Sequence, residues 1–282
     1  MVDCKSLGHM IAATAHQGDQ LSVISEIFAV GDELCFGRVY DTNSFWLADQ
    51  LTKIGAVVRR ITCVRDDVEE LCEALRGAIV RHPSVIIITG GLGPTKDDRT
   101  LEGLAKLTGT RVIVDNSILS LNAERRNRRL NELGPHHLKM SSTLEGAECL
   151  PNPIGWAPVT VLGFTDVTII AMPGPPREVK SCFEHHVVDR IRKRTTRVSI
   201  ARRVAVDMHE SEIAPYVLQV MSDVPRTYLK PLAGKSVDGS GILVEVIAFE
   251  ENEEKCTRKC DEAVAILNKL VEKAGKRLNK LY

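Results

Sequence analysis

Residues 84–100 read SVIIITGGLGPTKDDRT, and this stretch constrains the chain more than any other. Ser84–Thr89 is a short, unbroken apolar run bounded by a Gly-Gly turn, the pattern of a strand buried on both faces of a parallel sheet. Such a strand needs helices packed on each side of it, which sets the fold class as α/β. The loop after it holds Gly90, Gly91 and Gly93 and leads into a helix predicted over Thr100–Thr108, with Gly109 as its stop. A glycine-rich turn between a parallel strand and a helix lets backbone come close to a ligand. Its N–H groups and the helix N-terminus together suit an anion such as phosphate.

The flanking sequence repeats the strand–loop–helix alternation. Ser25–Val30 and Ala56–Val64 read as strands. Asp41-Thr42-Asn43-Ser44 offers caps for a helix whose Phe45, Leu47, Ala48, Leu51 and Ile54 recur at helical spacing until Gly55. Asp66-Asp67 caps a further helix that runs through His82, with Val68, Leu71, Leu75, Ala78 and Ile79 on one face. Val159–Leu162 and Val167–Met172 read as strands, and Pro176–Arg194 as a helix. Ser117–Gly134, which carries ERRNRRLNE, reads as a polar helix at the surface. The whole predicts a three-layer α/β/α domain on a mainly parallel sheet.

Composition shifts at Arg190–Arg203, and a boundary is placed near Arg197. The expected division is an N-terminal extension over 1–22, the α/β domain over 23–196 and a small α+β domain over 197–282. The last is read as βαββα: strands Val198–Val206, Arg226–Lys230 and Ile242–Phe249, helices Ser211–Ser222 and Glu253–Arg277, and the turn GKSVDGSG between the second and third strands.

Aromatic residues are 4% of the 282-residue chain, so its core must be aliphatic. Lys+Arg and Asp+Glu are equal at 37 each, which gives no global pull toward nucleic acid or anionic lipid. The longest apolar runs, Val85–Ile88 and Val167–Met172, fall far short of the ~20 residues of a membrane span. The first twenty residues hold no apolar run of signal-peptide length, so a cytoplasmic protein is expected. Eight scattered cysteines include no Cys-x-x-Cys pair. Cys256 and Cys260 share a helical face and are expected to be buried, reduced thiols.

The chemistry-bearing residues gather at predicted strand ends. In the loop Thr89-Gly90-Gly91-Leu92-Gly93-Pro94-Thr95-Lys96-Asp97-Asp98, Lys96 can set a point charge beside phosphate, and Asp97 and Asp98 can hold a divalent metal or a ligand hydroxyl, with Thr100 in the first turn of the next helix. No Gly-Lys-Ser/Thr closes the loop and no G-x-G-x-x-G is present, so neither a Walker A loop nor a dinucleotide fingerprint is read. Gly31-Asp32-Glu33-Leu34, leading to Asn43, also follows a strand and can share a crevice with the loop. Asp66 stands at a third strand end, where a helix N-cap accounts for it equally well. Leu150–Pro158 (LPNPIGWAP, with Asn152 and Gly155) and Met172–Pro176 (MPGPP, with Pro173 and Gly174) are rigid turns.

Taken in order, GDEL…G…DTN, an Asp after the second strand, TGGLGPTKDDxT, NPxGxAP and PGPPxE resemble the CinA (competence/damage-inducible) family and, more broadly, the MoaB/MogA molybdopterin-binding fold. The resemblance runs from about Glu26 to Phe183, and the tail resembles the KH-like middle domain of CinA by layout only. It implies the three-layer fold, a phosphorylated pterin or nucleotide as ligand, a key acidic residue at Asp98 and a second near Asp66. It draws the turns with Asn152, Gly155, Pro173 and Gly174 into the ligand crevice. The CinA branch and the related domain of eukaryotic FAD synthases imply metal-dependent pyrophosphate cleavage of ADP-ribose or FAD, and a homo-oligomer, dimer or trimer. Arg65 departs from the usual Gly, and Asp67 from the common Asn. With the sequence ending at Tyr282, the nicotinamide-nucleotide deamidase activity of longer CinA proteins is not expected.

Two functions follow. One is a pyrophosphatase: Gly90–Gly93 and Lys96 hold a phosphate, Asp98 with Asp97 or Asp66 holds Mg²⁺, Mn²⁺ or Co²⁺, and Asp32 or Asp66 orients the attacking water. The other is a molybdopterin-binding module of cofactor biosynthesis. Nucleic-acid binding is disfavoured, since Gly234 and Gly239 lie between strands at the wrong spacing for a KH clamp.

Overall fold

The computed structural model describes residues 23–232 and 241–281. The extension over 1–22, most of the GKSVDGSG turn, and the Gly234/Gly239 pair lie outside the described residues. The described residues form two compact units, Val23–Thr52 with Ala56–Arg194, and Lys53–Gly55 with Thr195 onward.

The first unit is built on a six-stranded sheet of order β2-β1-β3-β8-β7-β6. Its strands are β1 (Ile24–Val30), β2 (Val57–Val64), β3 (Val85–Thr89), β6 (Glu148–Leu150), β7 (Val159–Phe164) and β8 (Val167–Met172). β2, β1, β3 and β8 are parallel; β7 and β6 close one edge antiparallel. All five residues of β3 are buried, as its apolar run requires. Successive side chains point to opposite faces. Ile86 and Ile88 meet Leu71 and Leu75 of helix α3 (Val68–Ile79) and Leu101 and Leu104 of α4 (Thr100–Thr108). On the other face, α2 (Thr42–Lys53) buries Leu47 and Leu51, and its Trp46 packs edge-on against Phe183 at 5.4 Å. Phe183 lies in a helical stretch that runs through α7 (Pro176–Cys182), a π turn and α8 (Val188–Arg192). Each fully buried aliphatic side chain contributes roughly 2 kcal/mol. One charge lies in this core: Glu26 of β1 is fully buried and is gripped by Arg81 at 2.8 and 2.5 Å.

The polar helix expected over 117–134 is shorter and less exposed than its composition suggests. α5 covers Asn116–Arg125 and buries Ile118, Leu119, Asn122 and Ala123; the chain turns at Asn127, where φ is +50°. A single 3₁₀ turn (Leu130–Glu132), α6 (Pro135–Met140) and a two-stranded ribbon of β4 (Val112–Val114) with β5 (Ser142–Leu144) complete the region.

The second unit is a four-stranded antiparallel sheet of order β10-β11-β9-β12. β9 (Val198–Val206), α9 (Glu210–Asp223), β10 (Thr227–Leu232), β11 (Ile242–Glu250) and α10 (Glu253–Lys273) follow the expected βαββα order, and β12 (Leu278–Lys280) adds an edge strand beside β9. Cys256 and Cys260 are core thiols of α10, donating to the β9 carbonyls of Val198 and Ile200 at 3.3 Å. Among the described residues, no helix is long and apolar enough to cross a membrane.

Candidate functional site

In a doubly wound sheet the crevice opens beyond the carboxyl ends of the strands, where the strand order reverses. Here the order reverses between β1 and β3, and a cavity of about 560 Å³ opens there. It is lined by the residues that leave four parallel strands: Val30 and Gly31 after β1, Asp66 after β2, Thr89–Pro94 after β3, and Pro173–Pro176 after β8. Asp98, Asn43, Met140 and Trp156 complete much of the wall.

Hydrogen bonds fix the glycine loop from both sides. Gly90 N–H donates to Met172 O at 3.2 Å, continuing the β3–β8 ladder, so this amide is not part of any anion nest. Thr100 closes the loop: its Oγ1 donates to Gly90 O at 2.8 Å and its N–H to Gly91 O at 3.1 Å. Between these ties, the N–H groups of Gly91, Leu92 and Gly93 have no acceptor among the described residues. Consecutive free amides of this kind can form an anion-binding concavity. Asn43 bridges two walls, donating to Gly174 O at 2.7 Å and to Thr89 Oγ1 at 3.3 Å, while Thr89 Oγ1 donates to Pro173 O at 2.9 Å.

The electrostatics run the other way. Glu33, Asp41, Asp66, Asp98 and Glu178 line the cavity, and no Lys, Arg or His does so among the described residues. Burial pushes the Asp66 carboxyl above the usual carboxylate range, and the nearby charges of Glu33, Asp32 and Asp98 push it further. Only the Asp32 N–H, donating at 2.9 Å, opposes them. Burial likewise raises Glu178, against the Asn152 amide at 2.6 Å and the charge of Arg126. Among the described residues no three His, Cys, Asp or Glu side chains form a metal cage. The all-oxygen donors Asp66 and Asp98 fit a hard divalent cation shared with ligand phosphates, which needs only one or two carboxylates from the protein.

The sequence pattern of a family described as "Probable molybdopterin binding domain" matches residues 26–193, nearly all of the unit that holds this cavity. The chain belongs to that family. A protein of Pyrobaculum arsenaticum is 36% identical over 88% of this chain and 91% of its own length. One from Sulfolobus acidocaldarius is 32% identical over 91% of this chain and 98% of its own. The crystal structure of CinA, a protein with unknown function from Thermoplasma acidophilum, superposes with a TM-score of 0.56 at 30% identity, covering 60% of this chain and 99% of that one. The molybdopterin-binding domain here is therefore CinA-like.

Within this domain the structure sorts the expected site residues into two groups. Gly31, Asn43, Asp66, Thr89, Gly90, Gly91, Gly93, Pro94, Asp98, Pro173 and Gly174 line the cavity. The others sit behind or outside it. Lys96 and Asp97 are exposed beyond the lining. Thr95 spends its N–H and hydroxyl on Asp98 Oδ2, at 2.8 and 2.6 Å, so Asp98 also folds the loop it belongs to. Thr100 is buried as the loop's clasp. Asp32 accepts from Arg65 at 3.0 Å and from Asp66 N–H at 3.3 Å, and so buttresses Asp66 from outside the lining. Asn152 and Gly155 are a buried turn: Asn152 Oδ1 accepts from Gly155 N–H at 2.7 Å, and Asn152 Nδ2 holds Glu178.

Asp66 is not the helix cap that its sequence context allows. Asp67 caps α3, accepting from Glu69 and Glu70 N–H at 2.8 and 3.0 Å, and this leaves Asp66 to the cavity. Sequence reasoning gave no role to Glu178, Met140 or Trp156. Glu178 and Trp156 stand inside quoted motifs, PGPPxE and NPxGxAP. Met140 had no signal, because α6 reaches the cavity only by tertiary packing.

Proposed function

We propose that the cavity takes a ligand with a pyrophosphate, and that the protein is a divalent-metal-dependent hydrolase of ADP-ribose or a similar dinucleotide. One observation carries this reading: among the described residues, three free amides of the glycine loop share a cavity with five carboxylates and no basic side chain. Amides alone suit an anion, but the carboxylates repel it unless a cation enters with it. Asp66 and Asp98 would hold that cation, and a bound divalent ion polarises a phosphoryl oxygen and lowers the pKa of water beside it. The chain's own parts do the rest. The Gly91–Gly93 amides orient one phosphate. Asp66, on the cavity wall, would orient the attacking water as its base.

The test is to incubate the protein with ADP-ribose and with FAD, each with Mg²⁺, Mn²⁺ or Co²⁺, and to measure AMP. Release should require the metal and should fall at least about 100-fold in Asp66→Asn, the usual scale for a lost general base. Asp98→Ala is the weaker variant, because it also frees Thr95. No AMP with any metal would sink the hydrolase. The family match favours a second reading, a molybdopterin-binding protein of cofactor biosynthesis. Copurification of a pterin phosphate without AMP release would support it.

A further inference from the structure

Two thiols outside this chemistry stand face to face. Cys35 Sγ and Cys63 Sγ are 3.4 Å apart, although 28 positions separate them in sequence, and both residues are exposed. Cys35 ends helix α1 (Asp32–Cys35), whose Glu33 and Leu34 line the cavity, and the wall continues through Val39–Asn43. Cys63 lies on β2, the edge strand of the sheet.

Neighbouring contacts hold the two segments in register. Gly31 N–H donates to Val64 O at 3.0 Å, and Asp32 N–H to Asp66 Oδ2 at 2.9 Å. The Arg65 guanidinium bonds Asp32 and stands 5.3 Å from the Phe36 ring centroid. The sulfurs need to approach by about 1.4 Å to reach a disulfide bond length. Partial shielding of its sulfur, the hydrogen bond to Cys35 and the charges of Cys35, Asp41 and Glu33 push the Cys63 thiol up to about 12. Cys63 therefore keeps its proton, which leaves Cys35 as the sulfur that meets an oxidant first.

We propose that Cys35 and Cys63 are a reversible dithiol–disulfide pair, oxidised by a hydroperoxide, whose bond fixes the cavity wall over residues 33–43. With hydrogen peroxide, the Cys35 sulfur attacks one oxygen, the O–O bond breaks, and a sulfenic acid and one water result. The Cys63 sulfur then attacks the Cys35 sulfur. The S–O bond breaks, and the departing oxygen leaves as a second water with the Cys63 proton. Two electrons pass from the thiols to the peroxide, and a dithiol such as dithiothreitol returns them. The pair acts on the wall whichever ligand the cavity takes.

The experiment oxidises the full chain with stoichiometric hydrogen peroxide, alkylates it under denaturing conditions and maps its peptides by mass. A linked Cys35–Cys63 peptide, lighter by the two hydrogens lost, is expected, with the thiol titre down by two from eight and restored by dithiothreitol. Amide exchange over residues 33–43 should slow on oxidation in the wild type and stay unchanged in Cys63→Ser. If both cysteines remain alkylatable, if either links to another cysteine, or if Cys35 proceeds to sulfinic acid unlinked, the pair is refuted. A link formed with unchanged exchange over 33–43 refutes control of the wall.

Discussion

Gly90→Ala separates two costs that usually travel together. At Gly90 φ is +100°, and a Cβ would lie 2.1 Å from Val30 O, where contacts under 3.0 Å essentially never occur. Gly109 has φ +72°, and a Cβ there would meet nothing within 4 Å. Both substitutions carry the cost of a left-handed backbone, about 1 kcal/mol for a residue with a Cβ. Only Gly90→Ala must also push Val30 O away by about 1 Å, at the point where β1 and β3 are paired through Ala29 and Thr89. Loosening that ladder end adds about 2 kcal/mol. The expected losses are therefore about 1 kcal/mol for Gly109→Ala and about 3 kcal/mol for Gly90→Ala. Urea unfolding followed by tryptophan fluorescence reads this directly, because both tryptophans, Trp46 and Trp156, lie in the unit that holds the cavity. Equal losses in the two variants would refute the steric part of the reasoning. A loss at Gly90 below about 1 kcal/mol would refute the backbone part as well.

Other consequences follow from the charges and ties around the cavity. Asp66 has a folded-state pKa raised above its unfolded value, so stability falls as pH rises from the ordinary Asp range through the raised value. Without added cation, Asp66→Asn should melt higher than the wild type at neutral pH and no higher in acid. A divalent cation should raise the melting temperature of the wild type alone, and identical curves would show that the charge does not weigh on the fold. Arg81→Ala strands the Glu26 carboxylate and should cost about 3 kcal/mol by urea unfolding, the low end for a broken buried pair, because the Arg81 side chain is 27% exposed. Asn43→Ala removes the bridge to Gly174 and Thr89 and should cost about 1–2 kcal/mol by urea unfolding.

The sequence was most legible where one pattern dominated. VIIIT could only be a buried strand, and the alternation around it yields the parallel β2-β1-β3-β8 core. Three-residue strands such as β4, β5 and β12 carry no readable period and depend on their partners. The arginine-rich run after Ser117 misled for a different reason. Arg125 and Arg126 turn inward to donate to the carbonyls of Asn152 and Gly155, both at 2.8 Å, so a stretch read as surface braces the Trp156 turn. At the site, strand ends were predictable, but the choice between Asp66 and Asp67 was not. Either residue can cap a helix, and only the pairing of Asp66 with the Asp32 amide settles which one does. Cys35 and Cys63 are neighbours only because parallel pairing of β1 and β2 returns the chain to its own starting edge.

The three free amides after β3 have a consequence for how such a site diversifies. A ligand contact made by peptide groups cannot be deleted by changing the side chain that bears it. Replacing Leu92, whose side chain packs in the core, would be felt as lost packing and not as a lost ligand contact, and changes at Thr100, Asn43 or Gly90, which hold the curve of the loop, would be costly in the same way. A mutational scan of this protein would then trace the scaffold more clearly than the contact. The carboxylates that line the cavity, borne by replaceable side chains, are where a ligand preference can change without altering the backbone of the loop.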